Sequence, residues 1–466
     1  MSDIVLIKAG VLDRSHPLVT PPLGIMSLAA VARAAGHRVS LIDAKVENLA
    51  PEAVLRRVAG LAPQVVGVSG FSNEWESFET IGRLLKENLP RAVLLGGGPH
   101  ATSYPDEIMA RAPFDYLALG EAEETFVELL DALAQGGEAR QVPGLVYREN
   151  GAVRRTAPRA ALADLDRIPF PAYDLIDLGT YSKLLSASAI GRRRYMSILT
   201  SRGCPYHCTY CHSLFGKRFR ARSPDRVVEE LTLLRERYGI RDIEVTDDIF
   251  NFDRDRVMEL CRRVMAAKLD LRLSFPNGLR ADRVDPEMID ALRRAGTVMI
   301  SYAVETASPR LQKLIRKNLD LDHVSRSIAE TVRAGIFTTA YFMLGFPTET
   351  EEEMLLTAEY AARSPLHAAS FFIVTPFKGT ELWNLVPPHV KELAGRRWFS
   401  FHHGYVNLSQ VSNGRLVTLR RRAYRRFCLS PRRIARTFYR YPDKREFFHA
   451  VGVLARLFLA RSAFAA

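Results

Sequence analysis

The sequence predicts an α/β protein with two parallel-sheet domains and a basic helical tail. Three observations predict it. Short apolar runs without polar alternation recur between amphipathic segments, the pattern of strands buried on both faces by crossover helices. The pattern occurs five times before residue 140 and six times after residue 195. A proline-bearing joint separates the two sets, and the composition after them turns strongly basic.

Residues 1–140 hold the first set. Its strand candidates are Ile4-Val-Leu-Ile7, Val39-Ser-Leu-Ile42, Val65-Val-Gly-Val68, Val93-Leu-Leu95 and Tyr116-Leu-Ala-Leu119. Amphipathic segments at 25–35, 51–62 and 76–88 lie between them. This is a doubly wound, Rossmann-like parallel sheet, and such a sheet binds ligands beyond the carboxyl ends of its strands. At those ends stand Ser69-Gly70, Gly96-Gly97-Gly98-Pro99-His100 and Gly120-Glu121, while Thr20-Pro-Pro22-Leu-Gly24-Ile25 opens the first helix. Glycines there let a ligand approach the backbone closely. Any one such turn serves strand-to-helix geometry equally well.

Residues 141–194 read as a linker. A small hairpin is expected around Asn150-Gly151, between Gly144-Leu-Val-Tyr147 and Val153. The run Asp164-Leu-Asp-Arg-Ile-Pro-Phe-Pro171 follows as an ordered crossing segment.

Residues 195–400 hold the second set. Strands are expected at 195–200, 242–246, 271–275, 298–302, 338–342 and 370–374, with helices at 225–238, 253–267, 286–295, 324–334 and 350–362. Six consecutive β–α units predict a partial (β/α)6 barrel, whose chemistry would collect at the carboxyl ends of the strands. The first strand leads straight into Ser201-Arg-Gly-Cys-Pro-Tyr-His-Cys-Thr-Tyr-Cys-His212. Cys204, Cys208 and Cys211 form a C-x3-C-x2-C array. An odd cluster in a short loop cannot pair as disulfides, and three converging thiolates suit a metal centre. Zinc closed by His207 or His212 is the rival, but zinc ligands usually come as two separated knuckles. Three cysteines leave one iron of a 4Fe–4S cluster open to a substrate.

The array, with the aromatic Tyr210 before its last cysteine, resembles the signature of the radical S-adenosylmethionine superfamily. The glycine loops of residues 1–140 resemble the cobalamin-binding domain found ahead of many such enzymes. The resemblance implies a 4Fe–4S cluster on Cys204, Cys208 and Cys211, S-adenosylmethionine on its open iron, and cobalamin. It implies adenine packing near Tyr210 and Gly345, and polar contacts to the cofactor from Asp247, Asn277, Arg280 and Glu305. Pro22, Gly24, Ser69, Gly70, Gly97, Gly98, Gly120 and Glu121 would bind cobalamin. Domains that ligate cobalt from below carry Asp-x-His-x-x-Gly after the first strand; here Asp13-Arg-Ser-His16 has a different spacing.

The chain has 466 residues, a net charge of +13 and five cysteines, of which Cys261 and Cys428 stand alone. That is no secreted disulfide framework, so a reducing cytoplasm is expected. No signal peptide or uninterrupted apolar span is evident. From Arg415 onward fourteen Lys/Arg face only Asp443 and Glu446, so almost all the excess charge belongs to residues 401–466. Basic helices rich in aromatics suit a cap on the barrel or a peripheral contact with an anionic membrane. No nucleic-acid partner is expected, because no RNA-binding module accompanies them. The resemblance implies C-methylation of an unactivated carbon in a natural-product or lipid-like substrate, with electrons from a flavodoxin or ferredoxin. Radical cyclisation or oxidation without methyl transfer and a noncatalytic cluster or corrinoid sensor are the alternatives.

Overall fold

A computed structural model describes residues 1–12, 18–136, 139–388, 391 and 406–459. The segment Asp13–His16 lies outside the described residues. The chain divides into two compact units, Met1–Leu184 with Leu214–Gly216, and Leu185–Ser213 with Lys217–Ala466.

The first unit contains β1 (Asp3–Lys8), β2 (Arg38–Asp43), β3 (Val65–Ser69), β4 (Val93–Gly97), β5 (Tyr116–Ala118), β6 (Leu145–Glu149) and β7 (Ala152–Arg155). They form one sheet in the order β2-β1-β3-β4-β5-β6-β7. The first five strands are parallel because each is followed by a helix or helical segment that returns the chain to the amino end. Val5, Ile7, Val66, Val68, Phe78 and Phe114 fill one face, with Phe78 and Phe114 stacked at 4.9 Å. Burying a side chain of that size contributes about 1.5–3 kcal/mol. The hairpin predicted at 144–153 forms and extends the sheet. β6 pairs antiparallel with β5, burying Leu145 and Val146 and covering what would be an open edge. The strand order reverses between β1 and β3, which makes their carboxyl ends the crevice of this domain.

The second unit contains β8 (Tyr195–Ile198), a short antiparallel pair β9 (Ser201–Arg202) and β10 (Arg220–Ala221), then β11 (Asp242–Val245), β12 (Arg272–Leu279), β13 (Thr297–Glu305), β14 (Phe337–Leu344) and β15 (Ala368–Ile373). The main sheet runs β15-β14-β13-β12-β11-β8, parallel throughout, with β8 and β15 as its two edges. This is the predicted partial barrel. Its helices start where the sequence supplies caps: Ser223 before Pro224–Tyr238, Asp253 before Arg254–Ala267, Asp285 before Pro286–Arg294, and a Thr350/Glu353 capping box. Each cap satisfies an orphan amide and contributes about 1 kcal/mol.

The basic tail is partly structural. Leu416 and Leu419 of the helix Asn413–Cys428 pack on Leu344, Met354 and Ile373. Arg433 is buried, lies 3.7 Å from the Phe427 ring centroid, and donates to the carbonyls of Ala362, Ser364 and Leu366. It thereby caps the carboxyl end of the helix Glu351–Arg363. Tyr441 and Phe447 join Ile190, Met299 and Phe337 beneath the amino ends of the barrel strands. Leu429, Ile434, Tyr439 and Phe448 stay exposed. Among the described residues, no helix is long and apolar enough to cross a membrane.

Candidate functional site

In the second unit the cysteine loop is held from its first residue. Asp247, just past β11, accepts from Thr200 N at 2.6 Å, Thr200 Oγ1 at 2.5 Å and Ser201 Oγ at 2.7 Å. Asp248 accepts from Gly203 N at 3.0 Å. Further along, Thr209 N donates to Ile315 O and Cys211 N turns back to Cys208 O, both at 3.1 Å. Both oxygens of Asp247 are thus engaged in aiming the loop, and Asn277 Nδ2 donates to the Asp247 carbonyl at 2.6 Å.

Cys208 is buried, Cys204 half-buried and Cys211 exposed. Cys208 and Cys211 share a hydrogen bond. That bond, aided by Lys317 and Arg280 against the cost of burial, holds the Cys208 thiol below its ordinary pKa. Burial instead raises Cys204. The ligand form of cysteine is the thiolate, and the same pairing, with burial, raises Cys211, so the bias toward that form rests on Cys208 alone. Among the described residues no three Cys, His, Asp or Glu side chains are grouped to hold a single metal ion. A 4Fe–4S cluster spreads its ligands over different irons and fits a loop whose thiols are spaced along it.

The wall beside the thiols is built of two ion pairs, Arg280 with Asp282 and Lys317 with Glu305. Arg280 is 8% exposed, stacks 3.8 Å from the Tyr206 ring centroid, and donates to Lys317 O at 2.7 Å and Asp282 at 3.0 Å. Lys317 Nζ lies 3.4 Å from Glu305. Burial opposes the lysine's charge, but Glu305, Cys208 and Cys211 outweigh it and keep its pKa above the ordinary value. A cluster bound by three thiolates is anionic, and these two cations, shared with their carboxylate partners, would lie beside it. Glu305 ends β13 with φ +70, a left-handed conformation at a bulge in the ladder. Such strain in a non-glycine residue concentrates at functional sites. Tyr210 packs against Phe346 with ring centroids 6.0 Å apart, and burial together with the neighbouring Glu305 raises its hydroxyl's pKa.

Gly345, at the end of β14, and Phe346 both donate their amides to Glu349 Oε2, at 2.6 and 2.9 Å. Glu349 is fully buried, and burial raises its pKa to about 8. Its carboxyl is raised in the folded state, so between about pH 4.5 and 8 the unfolded chain releases a proton that the folded chain keeps. Stability from this group therefore falls as pH rises through that window and levels off above it. Glu349→Gln keeps an acceptor for both amides and cannot ionise. Its Tm is expected to vary less with pH from 5 to 8 than wild type, with the gap widening toward pH 8. Parallel Tm–pH curves would contradict this assignment.

The first unit gathers the glycine loops. Gly97 pairs in register with Ser69. A Cβ on Gly98 would stand 2.5 Å from Ser69 Oγ and 3.4 Å from Gly70 O, at φ +84. Thr102 Oγ1 donates to Gly98 O and accepts from Gly120 N, each at 3.0 Å. A side chain on Gly120 would meet nothing within 4 Å, so that loop presents open backbone. Ser27 Oγ donates to Glu123 at 3.0 Å, drawing together the first turns that carry Pro22, Gly24, Gly120 and Glu121. The cradle of bare backbone at the strand ends suits a large planar group that must approach closely.

At the β1/β3 crevice the structure adds residues that the sequence did not single out. Lys8 is buried in an ion pair with Glu74, which Lys45 also contacts at 3.2 Å. Burial lowers the Lys8 pKa against the pull of Glu74. Asp43 accepts from Tyr181 OH at 2.5 Å. In the second unit Lys317 and Glu349 likewise carry no sequence signal. All are single charged residues whose partners are distant in sequence or which carry no motif.

The radical SAM superfamily model matches residues 198–361, and the B12 binding domain model matches residues 11–130. The chain is 31% identical over 425 residues to an uncharacterized methyltransferase of Pyrococcus horikoshii, covering 90% of each. It is 29% identical over 417 residues to cytidylyl-2-hydroxyethylphosphonate methyltransferase of Streptomyces wedmorensis, covering 78% of each. Its fold matches that of the radical S-adenosylmethionine methyltransferase TsrM of Kitasatospora setae, solved with tryptophan and an S-adenosylmethionine analogue. There the TM-score is 0.69 at 20% identity, covering 84% of this chain and 77% of that one.

Proposed function

Because the chain belongs to the cobalamin-binding-domain branch of the radical S-adenosylmethionine superfamily, we propose that this radical enzyme is a C-methyltransferase acting on an unactivated carbon of a small or lipid-like molecule. The observation that carries the reading is the presence, in one chain, of the two matched domains, each with a site whose residues suit its cofactor. When bound, S-adenosylmethionine on the cluster supplies with one electron a hydrogen-abstracting radical, and the corrinoid supplies the methyl group.

The residues of the chain divide the remaining tasks. Cys204, Cys208 and Cys211 hold the cluster. Asp247 and Asp248 aim their loop, and Lys317 and Arg280 lie beside it. Tyr210 and the Gly345 turn flank the adenine, and Glu305 and Asn277 stand at the polar end of the same cofactor. Ser69, Gly70, Gly97, Gly98 and Gly120, with Pro22, Gly24 and Glu121, receive the corrinoid. A flavodoxin or ferredoxin of the cytoplasm supplies electrons. The exposed apolar residues Leu429, Ile434, Tyr439 and Phe448, set among arginines, suit peripheral contact with an anionic membrane where a lipid-like substrate would reside.

The reading is tested by reconstituting the protein anaerobically with iron, sulfide and hydroxocobalamin and desalting it. One corrinoid per chain is expected. A protein that carries its cluster but retains no corrinoid would overturn methyl transfer and leave radical chemistry without it.

A further inference from the structure

The strands of the barrel alternate in an unusual way. Ile198, Val245, Leu273 and Phe275 face the helices, against Val227 and Leu260. Ser197, Glu244 and Ser274 lie between them and point to the opposite, interior side. They stand in one row, Ser197 in register with Glu244 and Glu244 with Ser274. Ser301 and Thr339 form a second registered pair. A barrel interior is ordinarily filled by bulky branched side chains. Here the first row carries two small hydroxyls and a carboxylate before it meets Met299 and Phe337, the pair one level above carries two more hydroxyls, and none of the five is more than 4% exposed.

Hydrogen-bond accounting separates the two rows. The Ser301 and Thr339 hydroxyls bond one another at 2.8 Å. Glu244 Oε1 accepts from Arg193 Nη2 at 2.5 Å and Ser188 N at 3.2 Å. Glu244 Oε2, Ser188 Oγ, Ser197 Oγ and Ser274 Oγ are buried without a partner. Each such group is costly if left unsatisfied. Four on adjacent positions call for a guest rather than separate explanations. The local charges nearly cancel: Arg193 lies 3.1 Å from Asp242 as well as bonding Glu244, and Arg272 lies 3.5 Å from Asp242. The guest is therefore neutral. A free carboxylate oxygen requires it to donate, and the serines both donate and accept, which is the pattern of a hydroxyl group.

We propose that this interior row is a binding site for neutral hydroxyl groups, donated to Glu244 Oε2 and shared with Ser188, Ser197 and Ser274. Water fills it in the free protein, and a hydroxyl-bearing end of the substrate enters it in the working enzyme. The substrate half rests on the barrel being the radical site; the hydroxyl site itself does not.

The test is a high-resolution crystal structure of the cluster-loaded protein grown anaerobically, alone and soaked in ethylene glycol. Without the diol, an ordered water is expected about 2.6–3.2 Å from Glu244 Oε2 and from at least one of the three serine hydroxyls. With it, a diol hydroxyl is expected at the same position. A dry interior, with the serines bonded to main-chain carbonyls, would overturn the site. Water retained while the diol is excluded would overturn the substrate half. The Ser197→Ala/Ser274→Ala double variant removes two partners with little loss of volume, and is expected to lose the bound oxygen. Its persistence unchanged would show that the row does not bind it. Deoxyadenosine formation, measured on the same preparation, separates failure of this site from failure of the radical assignment.

Discussion

Alanine in place of Cys208 is expected to abolish both the cluster and every reaction that depends on it. Cys208 is the buried member of the array, hydrogen-bonded to Cys211 and facing Lys317 and Arg280. Removing it leaves two thiols on the loop, too few to hold the cluster. Iron should fall from about four per chain to well under one, with loss of the cluster absorbance. Deoxyadenosine from S-adenosylmethionine and dithionite should fall to the level without protein. Cys204→Ala and Cys211→Ala should behave alike, since each would hold a separate iron. Cys261→Ala is the control. Cys261 is buried against Val264 and Phe275 far from the loop in sequence, and its replacement should leave iron content unchanged. A Cys208→Ala protein that retains a full cluster would remove the loop from the site.

Valine in place of Gly98 is expected to abolish corrinoid binding while leaving the cluster intact. Two independent costs meet at this position. The backbone is left-handed at φ +84, which a β-branched residue rarely adopts, and the first side-chain atom would stand 2.5 Å from Ser69 Oγ. Each is a cost of a few kcal/mol or a forced displacement of the β3 loop. Corrinoid retained after desalting should drop at least about tenfold. Iron content and S-adenosylmethionine cleavage without substrate should stay near wild type, because the cysteine loop belongs to the other compact unit. Gly120→Ala is the milder comparison. Its side chain meets no protein atom, so loss of corrinoid there would report the ligand's own approach to the backbone. Undiminished binding by Gly98→Val would take the glycine loops out of the corrinoid site.

Much of this architecture is legible in the sequence because its signals are local. The apolar runs at 4–7, 65–68 and 93–95 all became strands, and the glycines at their ends came together around Ser69 and Gly98. The C-x3-C-x2-C spacing needed no partner to be recognised. What escaped the sequence depends on contacts across the chain. Lys8 and Glu74 are 66 residues apart, and neither strand nor turn pattern announces their pairing. Asp247 reads as a polar strand end, yet its carboxylate reaches back 47 residues to fix Thr200. Lys317 follows a short helix with no motif and becomes the cation beside the thiols only through the fold. The hairpin was visible, but its attachment to β5 was not, because edge pairing leaves no periodic mark. The basic tail was split by the structure into a buried anchor at Arg433 and an exposed face, a distinction that charge counting cannot make.

The most direct measurement is a single anaerobic incubation of the cluster- and cobalamin-loaded protein with S-adenosylmethionine and a low-potential reductant, followed by mass spectrometry of the nucleosides. Deoxyadenosine from the radical cleavage is expected together with S-adenosylhomocysteine from methylation of the corrinoid, with loss of both in Cys208→Ala. A protein with a full cluster that yields no deoxyadenosine would contradict the account at its centre.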